Sequence, residues 1–216
     1  ISFWKGYPNK KFKNFIVSFE KNRNLKNNKI HKHSVDKHNI KDFGLKKIDV
    51  YQKPTKSKLS FSATENSIDT IKEEQFDLLL RFNKKIIRGD LLTSTNFGIL
   101  SIDYGSDFDF KGGPTGFWEV YNKEPATGFI IQRLNNELDN GDILFKGHFI
   151  TKSIYYLNYT NLCKNSAKYI LHVLSKIQKK QTFKNYGKSI YFNPLYKEPR
   201  LIEIIKYLLS TYITIF

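Results

Sequence analysis

The sequence is poor in several residue types, and each shortage excludes a class of structure. Its 216 residues include one cysteine and no methionine. A lone cysteine excludes a disulfide within the chain and a zinc site built from cysteines. Cys163 falls in an apolar helical pattern, which indicates a buried thiol rather than a nucleophile. Because no initiator methionine is present, we expect the sequence to be a fragment or a processed chain.

Long apolar runs are also missing. None approaches the ~20 residues that a membrane-spanning helix requires, so the sequence predicts no transmembrane segment. Together with the unpaired cysteine, this favours a cytoplasmic protein.

Acidic side chains are outnumbered, with 36 Lys and Arg against 20 Asp and Glu, for a net charge of +16. The surplus is local: residues 1–60 hold 16 basic and 4 acidic side chains, whereas residues 61–175 hold 12 and 14. One interpretation of residues 1–60 is a basic arm that binds nucleic acid, including tRNA. The other, which the abundance of Lys, Asn, Ile and Tyr favours, is a bias of composition without a bound polyanion.

Composition divides the chain into a basic N-terminal part at 1–60, an α/β core at 61–180 and a C-terminal extension at 181–216. In the first part, FIVSF (15–19) and KKIDVY (46–51) are predicted strands. Between them, HKHSVDKH (31–38) holds three His and an Asp, which are residues that can ligate zinc. Their spacing secures no helical i, i+4 pair, so we predict a solvated loop and no metal site.

The core begins with a predicted helix over Glu65–Gln75, in which Ile68 and Ile71 share a face. FDLLLRF (76–82) is an apolar run typical of a strand buried on both faces of a parallel sheet. A short helix over Ile86–Leu92 and a second strand, FGILSID, complete a strand-helix-strand unit.

The second half of the core has a helical and a hairpin pattern. GFWEVYNKE (116–124) predicts a helix, TGFIIQRL (127–134) and GDILFKGHFI (141–150) predict strands around a turn, and residues 158–178 predict a long amphipathic helix. This order of elements predicts the α/β class, with a Rossmann-like, open, mostly parallel sheet whose functional loops lie at the carboxyl ends of the strands.

Three stretches resemble the folate-dependent formyltransferases, the family that includes methionyl-tRNA formyltransferase and glycinamide ribonucleotide transformylase. They are FDLLLRFNKKIIRGDLL, GILSID and KGGPTGFWEVYNKEPATGFIIQRLNNELDNGDIL, and they cover about Asp77 to Leu144. The GGPTGFWE variant is most similar to a less-studied branch of that family. The resemblance implies a Rossmann-like fold of the formyltransferase type and transfer of a formyl group from 10-formyltetrahydrofolate to an amine.

The same resemblance implies three catalytic positions. In the family, an Asn-x-His pair at a strand end provides oxyanion donors and a proton relay, and an Asp in a Leu-Asp-x-Gly turn orients the His. Here Ser101 takes the Asn position, Asp103 the His position and Asp139 the Asp position. A shift of one residue places Tyr104 in the His position instead. An ionised Asp103 would repel the developing oxyanion, which leaves catalysis open.

Two loops are implied to bind the pterin of the co-substrate through their main chain. One loop holds Lys84, Lys85 and Ile87, and the other holds Glu137 and Leu138 beside Asp139. Main-chain contacts tolerate changes of side chain, so binding can persist without catalysis. The two lysines are equally well explained as surface residues. If Asp103 and Asp139 face one another, their repulsion favours protonation of one of them, binding of a divalent cation, or loss of function.

Two further features have structural interpretations. Gly112 and Gly113 indicate tight backbone packing, and Trp118 is predicted to belong to the core. Residues 201–216 predict an amphipathic helix, with a stripe formed by Leu201, Ile204, Ile205, Leu208 and Leu209. That stripe must pack on the core, on a further domain or on a partner.

The sequence therefore predicts a transferase of one-carbon metabolism, a formyltransferase that acts on a small-molecule amine such as a nucleotide sugar. An aminoacyl-tRNA is another acceptor consistent with the resemblance. The alternative is a catalytically inactive domain, a pseudoenzyme that keeps the fold and the folate cleft.

Overall fold

The computed structural model of the chain describes residues 20, 48–54, 57, 59–82, 85–105, 110, 112–136, 141–184, 186 and 195–213. Its strands are β1 (Ser60–Phe61), β2 (Leu79–Arg81), β3 (Ile86–Ile87), β4 (Ile99–Tyr104), β5 (Ala126–Arg133) and β6 (Asp142–Ile150). Its α-helices are α1 (Glu65–Glu73), α2 (Phe117–Tyr121), α3 (Tyr155–Gln178) and α4 (Leu201–Tyr212). The predicted α/β class is confirmed.

The principal sheet has four strands in the order β2-β4-β5-β6. Strands β2 and β4 are parallel, whereas β5 pairs antiparallel with both β4 and β6. The predicted hairpin around residues 135–140 is thereby confirmed in its two strands. A separate pair, β1 and β3, is also parallel.

The two faces of the sheet bury different helices, because side chains alternate along a strand. On one face Leu100, Phe129 and Ile131 pack against α3 through Leu162 and Val173. On the other face Ile99 joins the α1 residues Ile68 and Ile71, as predicted from their spacing. Neighbouring residues of β4 thus pack against helices on opposite faces of the sheet.

The predicted helix over Ile86–Leu92 is wrong. Ile86 and Ile87 form β3, and a 3₁₀ helix follows at Asp90–Thr93. The N–H groups of Ile86 and Arg88 donate to the carbonyls of Leu59 and Phe61, each at 2.9 Å. Pairing with β1 favours the extended form of two β-branched residues over a local helical turn, which is a tertiary effect.

Two strand predictions also need correction. FDLLLRF forms β2 only at Leu79–Arg81 and is not buried on both faces, since Phe82 is 80% exposed. In the described part of the chain β2 is the edge of the sheet, with β4 as its one neighbour. The described residues of KKIDVY, 48–51, form no strand, and the next residue, Gln52, makes a single bridge to Ala63. FIVSF lies outside the described residues.

The C-terminal extension packs on the core. In α4 Ile204 and Tyr207 contact a cluster that contains Phe117 and Tyr155. The predicted apolar stripe is thus only partly buried: its buried member is Ile204, while Leu201, Ile205 and Leu209 are exposed. The buried face of α4 is completed by Tyr207, which the stripe did not include.

A buried carboxylate joins three distant parts of the chain. Glu20 accepts hydrogen bonds from the backbone N–H of Tyr156 at 2.8 Å, from the Tyr212 hydroxyl at 3.1 Å and from the Tyr207 hydroxyl. The Tyr207 hydroxyl in turn accepts from the N–H of Tyr155 at 2.8 Å. Tyr155 and Tyr156 begin α3, so Glu20 and Tyr207 together satisfy N–H groups that a helix N-terminus leaves unpaired.

Candidate functional site

The parallel register of β2 and β4 brings three polar residues together at the ends of these strands. Arg81, the last residue of β2, is the register partner of Ser101, and Asp103 lies two residues further along β4 on the same face. Side chains in such diagonal positions on neighbouring strands are within reach of one another. The carboxyl ends of parallel strands are where α/β folds place their sites.

Asp103 is held by two donors on two neighbouring strands. The Arg81 Nη2 donates to Asp103 Oδ1 at 3.1 Å, and the Gln132 Nε2 donates to Asp103 Oδ2. The Arg81 side chain is 15% exposed and the Asp103 side chain 39% exposed. Asp103 therefore remains accessible from solvent while its guanidinium partner is largely buried.

Gln132 lies on the same face as Asp103, because side chains alternate along β5 and Gln132 is the register partner of Ser101. The bulge beside it belongs to β6, where Leu144 is the extra residue. Behind Gln132 lies Gly141, where an added Cβ would be 2.8 Å from the Gln132 Oε1 and 2.6 Å from the Arg133 carbonyl oxygen. The glycine of the Leu-Asp-x-Gly turn thus leaves the space that the Gln132 amide fills.

Ser101, predicted as an oxyanion donor, is 2% exposed. Its hydroxyl lies 3.5 Å from the carbonyl oxygen of Ile102, a distance at the limit of hydrogen bonding. Ser101 is thus adjacent to the Arg81–Asp103 pair but more deeply buried. Its role as an oxyanion donor remains a prediction.

Tyr104 does not share the face of Asp103. It packs against the apolar cluster between the sheet and α3, because alternate residues of β4 face opposite sides of the sheet. Burial raises the pKa of the Tyr104 hydroxyl, and a hydrogen bond with Ser166 of α3 opposes that rise. The shifted alignment, which puts Tyr104 in the place of the family's His, is therefore incompatible with a site shared with Arg81 and Gln132.

The predicted pterin contacts are described only in part. Lys84, Glu137, Leu138 and Asp139 lie outside the described residues. The Lys85 Nζ donates to Gln52 Oε1 at 2.5 Å, so this lysine is engaged within the fold. The N–H groups of residues 86 and 88 point to β1, and the N–H of Ile87 between them is therefore directed to the opposite side of the strand.

The GGPTGFWE loop is a docking point for the C-terminal extension. Gly112 forms a bridge with Tyr196 so close that any side chain on the glycine would collide with the Tyr196 carbonyl. The Trp118 Nε1 donates to the carbonyls of Gly113 at 3.1 Å and Lys197 at 3.0 Å. The tight backbone packing predicted at Gly112 is borne out, whereas Trp118 is only partly buried, packs at the edge of the core and anchors the extension.

A second acidic residue is buried in this loop region. Glu119 of α2 is 2% exposed, and its Oε1 has no hydrogen-bond partner in the part of the chain that the structure describes. Burial raises the pKa of this carboxyl to about 7, against the effect of a backbone hydrogen bond. Nothing in the sequence pattern had singled out Glu119.

Metal binding and membrane spanning find no support in the described residues. There, no three His, Cys, Asp or Glu side chains are grouped so that they could hold a metal ion. The HKHSVDKH stretch lies outside this part of the chain. Of the helices that the structure describes, none combines the length and apolar content needed to cross a membrane.

Sequence reasoning missed Arg81 and Gln132. Arg81 carried a signal, because a charged residue within the apolar run FDLLLRF needs a partner. Its partner is 22 residues away, and only the pairing of β2 with β4 identifies it as Asp103. Gln132 carried no such signal, since a polar residue in a strand is ordinary.

The chain is similar in structure to several formyltransferases. They include HypX from Aquifex aeolicus (TM-score 0.48, 14% identity, 68% of this chain and 28% of that one) and a 4-N formyltransferase from Francisella tularensis (0.49, 22%, 67% and 64%). A third is the methionyl-tRNA formyltransferase from Clostridium thermocellum (0.42, 15%, 67% and 67%). No protein-family model and no curated protein matches the sequence.

The chain spans 28% of the length of the Aquifex protein and 64% of the length of the Francisella protein. In its motifs and in its structural neighbours, the chain is similar to the formyltransferases.

Proposed function

We propose that this protein transfers a formyl group from 10-formyltetrahydrofolate to a primary amine. The observation that carries the proposal is the geometry of Asp103, which lies at a strand end and is held there by Arg81 and Gln132. The resemblance implies that this residue stands where the family has its histidine. A carboxylate fixed by two donors and 39% exposed is an oriented proton acceptor that a substrate can reach.

The reaction makes two demands on the site. An amine that attacks the formyl carbon must lose a proton, and the carbonyl oxygen acquires negative charge as the new C–N bond forms. Asp103 can accept the proton. In this proposal Asp139 of the Leu-Asp-x-Gly turn assists, and Ser101 supports the strand end.

The formyl donor acts as a co-substrate that supplies the activated one-carbon group. We propose that it binds through main-chain groups near Ile87 and near Glu137 and Leu138, with Lys84 and Lys85 flanking it. The direction of the Ile87 N–H, away from β1, supports this arrangement because a main-chain donor on that side is not used in the pairing with β1.

The acceptor that we propose is a small-molecule amine, including the amino group of a nucleotide sugar. Such an acceptor presents a neutral amine to a carboxylate without requiring a large basic surface. An aminoacyl-tRNA would need many phosphate contacts, and the near balance of 12 basic and 14 acidic side chains over residues 61–175 favours a smaller acceptor.

The test has two stages. Calorimetric titration with 5-formyltetrahydrofolate, a stable folate, is expected to show saturable binding. Incubation with 10-formyltetrahydrofolate and a dTDP-linked 4-amino sugar, or with hydroxylamine as a small amine, is expected to release tetrahydrofolate only when the amine is present. Asp103→Asn should retain folate binding and lose amine-dependent release. A wild-type protein with no amine-dependent release would contradict the proposal.

A second candidate is a catalytically silent binding domain. Two observations favour it: the family's histidine is absent, and both Asp103 oxygens already accept hydrogen bonds. This candidate predicts folate binding without release of tetrahydrofolate by either amine. The double substitution Ser101→Asn with Asp103→His should then create transfer if the surrounding site is intact.

A further inference from the structure

The Arg81–Asp103 pair changes the electrostatic argument that the sequence supports. A lone carboxylate in this position would repel the oxyanion that develops on the formyl group. The guanidinium of Arg81 lies 3.1 Å from Asp103 Oδ1, so the pair as a whole is close to neutral. Because the Arg81 side chain is 15% exposed, water screens this attraction less than it would at the surface.

Arg81 has few other attachments. Its Nη1 lies 3.4 Å from the Lys85 carbonyl oxygen, a weak hydrogen bond, and its Nε has no partner within the described ranges. Its strongest contact there is with Asp103. An arginine that is mostly buried and directed at one partly exposed carboxylate is more than a surface ion pair, since surface pairs leave both partners in water.

Gln132 fixes the second oxygen. Its amide donates to Asp103 Oδ2 and packs closely against Gly141. Each oxygen of Asp103 accepts from a donor on a different strand, so the carboxylate is oriented on both sides. Its side chain is nevertheless 39% exposed, so a substrate can approach it.

We propose that Arg81 is the positioning residue of formyl transfer, holding Asp103 as the carboxylate that takes the proton of the acceptor amine. The Arg81 charge also offsets the repulsion between Asp103 and the oxyanion. This inference rests on the proposed function and identifies the group that does the work of the missing imidazole.

The atoms of the step balance as follows. The amine nitrogen forms a bond to the formyl carbon and passes one proton to an oxygen of Asp103. The bond between the formyl carbon and the donor nitrogen breaks, and that nitrogen takes the proton from Asp103. The products are an N-formyl amine and tetrahydrofolate, and Asp103 returns to the carboxylate that Arg81 holds.

The experiment measures kcat and KM with 10-formyltetrahydrofolate and the better of the two amines for wild type, Arg81→Gln and Arg81→Lys. We expect Arg81→Gln to lower kcat about 100-fold, with the KM for the folate changed by less than about threefold. The lysine keeps the charge but not the planar guanidinium, so its loss should be about tenfold. Arg200→Gln, which removes an exposed Arg–Glu pair far along the chain, is the matched control and should stay within about twofold of wild type.

Two readouts separate positioning from a purely structural role. The acidic limb of kcat/KM should move to higher pH in Arg81→Gln, because removal of the cation makes Asp103 easier to protonate. The double variant Arg81→Gln with Asp103→Asn should be no slower than Asp103→Asn alone, since Arg81 acts through Asp103. Circular dichroism shows whether each variant is folded, and Arg81→Lys serves if Arg81→Gln is not.

Each outcome decides a different claim. An active wild type with Arg81→Gln within threefold of it would overturn the inference and leave the proposed function standing. The same holds if the double variant is about 100-fold slower than Asp103→Asn. A wild type that transfers no formyl group to either amine would overturn the proposed function and the inference with it.

Discussion

Asp103 and Glu20 are both carboxylates held by hydrogen bonds, but their surroundings are opposite. Asp103 faces a guanidinium, keeps 39% of its side chain exposed and lies at a strand end. Glu20 is completely buried, and its donors in the described residues are two tyrosine hydroxyls and the N–H of Tyr156. Burial raises the Glu20 pKa, and the hydrogen bonds from Tyr207, Tyr156 and Tyr212 lower it again in part.

The contrast separates a reactive group from a structural one. A carboxylate with a cationic partner and access to solvent can exchange protons with a substrate. One enclosed by hydroxyls and a helix N-terminus holds those groups together, and in this case it joins α3 and α4 to Glu20. Four predictions test this division, and they are ordered by the expected change in stability.

The largest effect is expected at Glu20. Glu20→Ala leaves the N–H of Tyr156 and the hydroxyls of Tyr207 and Tyr212 without their acceptor, and it opens a cavity. We expect the free energy of unfolding to fall by about 4 kcal/mol in urea titrations. Glu73→Gln, at an exposed carboxylate of α1, is the control and should change it by less than about 0.5 kcal/mol. A loss below about 1 kcal/mol in Glu20→Ala would remove the structural role.

Glu119 is a third carboxylate. It is buried like Glu20, but its Oε1 has no hydrogen-bond partner in the described residues. Its pKa is raised to about 7 from 4.5, so the folded state binds the proton more tightly than the unfolded state. The contribution of this proton to the free energy of unfolding is therefore fully present below about pH 4.5. It is lost as the pH rises through 7, which lowers the free energy of unfolding by on the order of 2 to 3 kcal/mol.

Replacement of Glu119 by Gln should abolish that dependence. Urea titrations between pH 5 and pH 8 should show the free energy of unfolding of the wild type falling up to about pH 7 and levelling off above it, whereas that of Glu119→Gln stays flatter over the whole range. Parallel curves for the two proteins would mean that Glu119 is not protonated preferentially in the folded state.

Gly141 connects the turn to the strand-end cluster. Gly141→Ala brings a methyl group against the Arg133 carbonyl and the Gln132 amide, so one of them must move. We expect a loss of about 1 to 2 kcal/mol of stability and a roughly tenfold lower rate of transfer, because Gln132 no longer fixes Asp103. Gly147→Ala, on β6, is the matched control, because its methyl group would clash with the ring of Phe129 and not with Gln132. It should lower stability without changing the pH profile of the rate.

The smallest change in stability is expected at Asp103. Asp103→Asn replaces a partly exposed ion pair with a neutral hydrogen bond, which should cost about 1 kcal/mol or less in unfolding experiments. The rate of transfer should nevertheless fall at least 100-fold, since the amide cannot accept a proton. A stability loss as large as that of Glu20→Ala would place both carboxylates in the same structural class.

Much of the fold could be predicted because its signals are local. The helix at Glu65–Glu73, the long helix at Tyr155–Gln178 and the hairpin of β5 and β6 follow from periodicity and turn residues. The region 86–92 could not, because two isoleucines suit a helix or a strand equally well until β1 pairs with them. The position of β2 at the edge of the sheet could not be predicted either, because an apolar run does not indicate how many strands will pair with it.

The candidate site divides in the same way. Asp103 was found through its motif, and its place at the end of β4 was predicted. Three other residues, Arg81, Gln132 and Glu20, were not predicted, because each has its partner far along the chain. The separation is 22 residues for Arg81–Asp103, 29 for Gln132–Asp103 and 187 for Glu20–Tyr207. No periodicity in a sequence reports such distances.

The sequence by itself determined which segments are helical or extended where one conformation is strongly favoured, and which motif residues can carry chemistry. The tertiary structure alone decided what charge surrounds those residues. Strand pairing puts a guanidinium beside Asp103, and helix packing encloses Glu20 among hydroxyls. The reason is physical: conformational preference acts between neighbours in the chain, whereas the electrostatic environment of a carboxylate depends on groups that only folding brings near it.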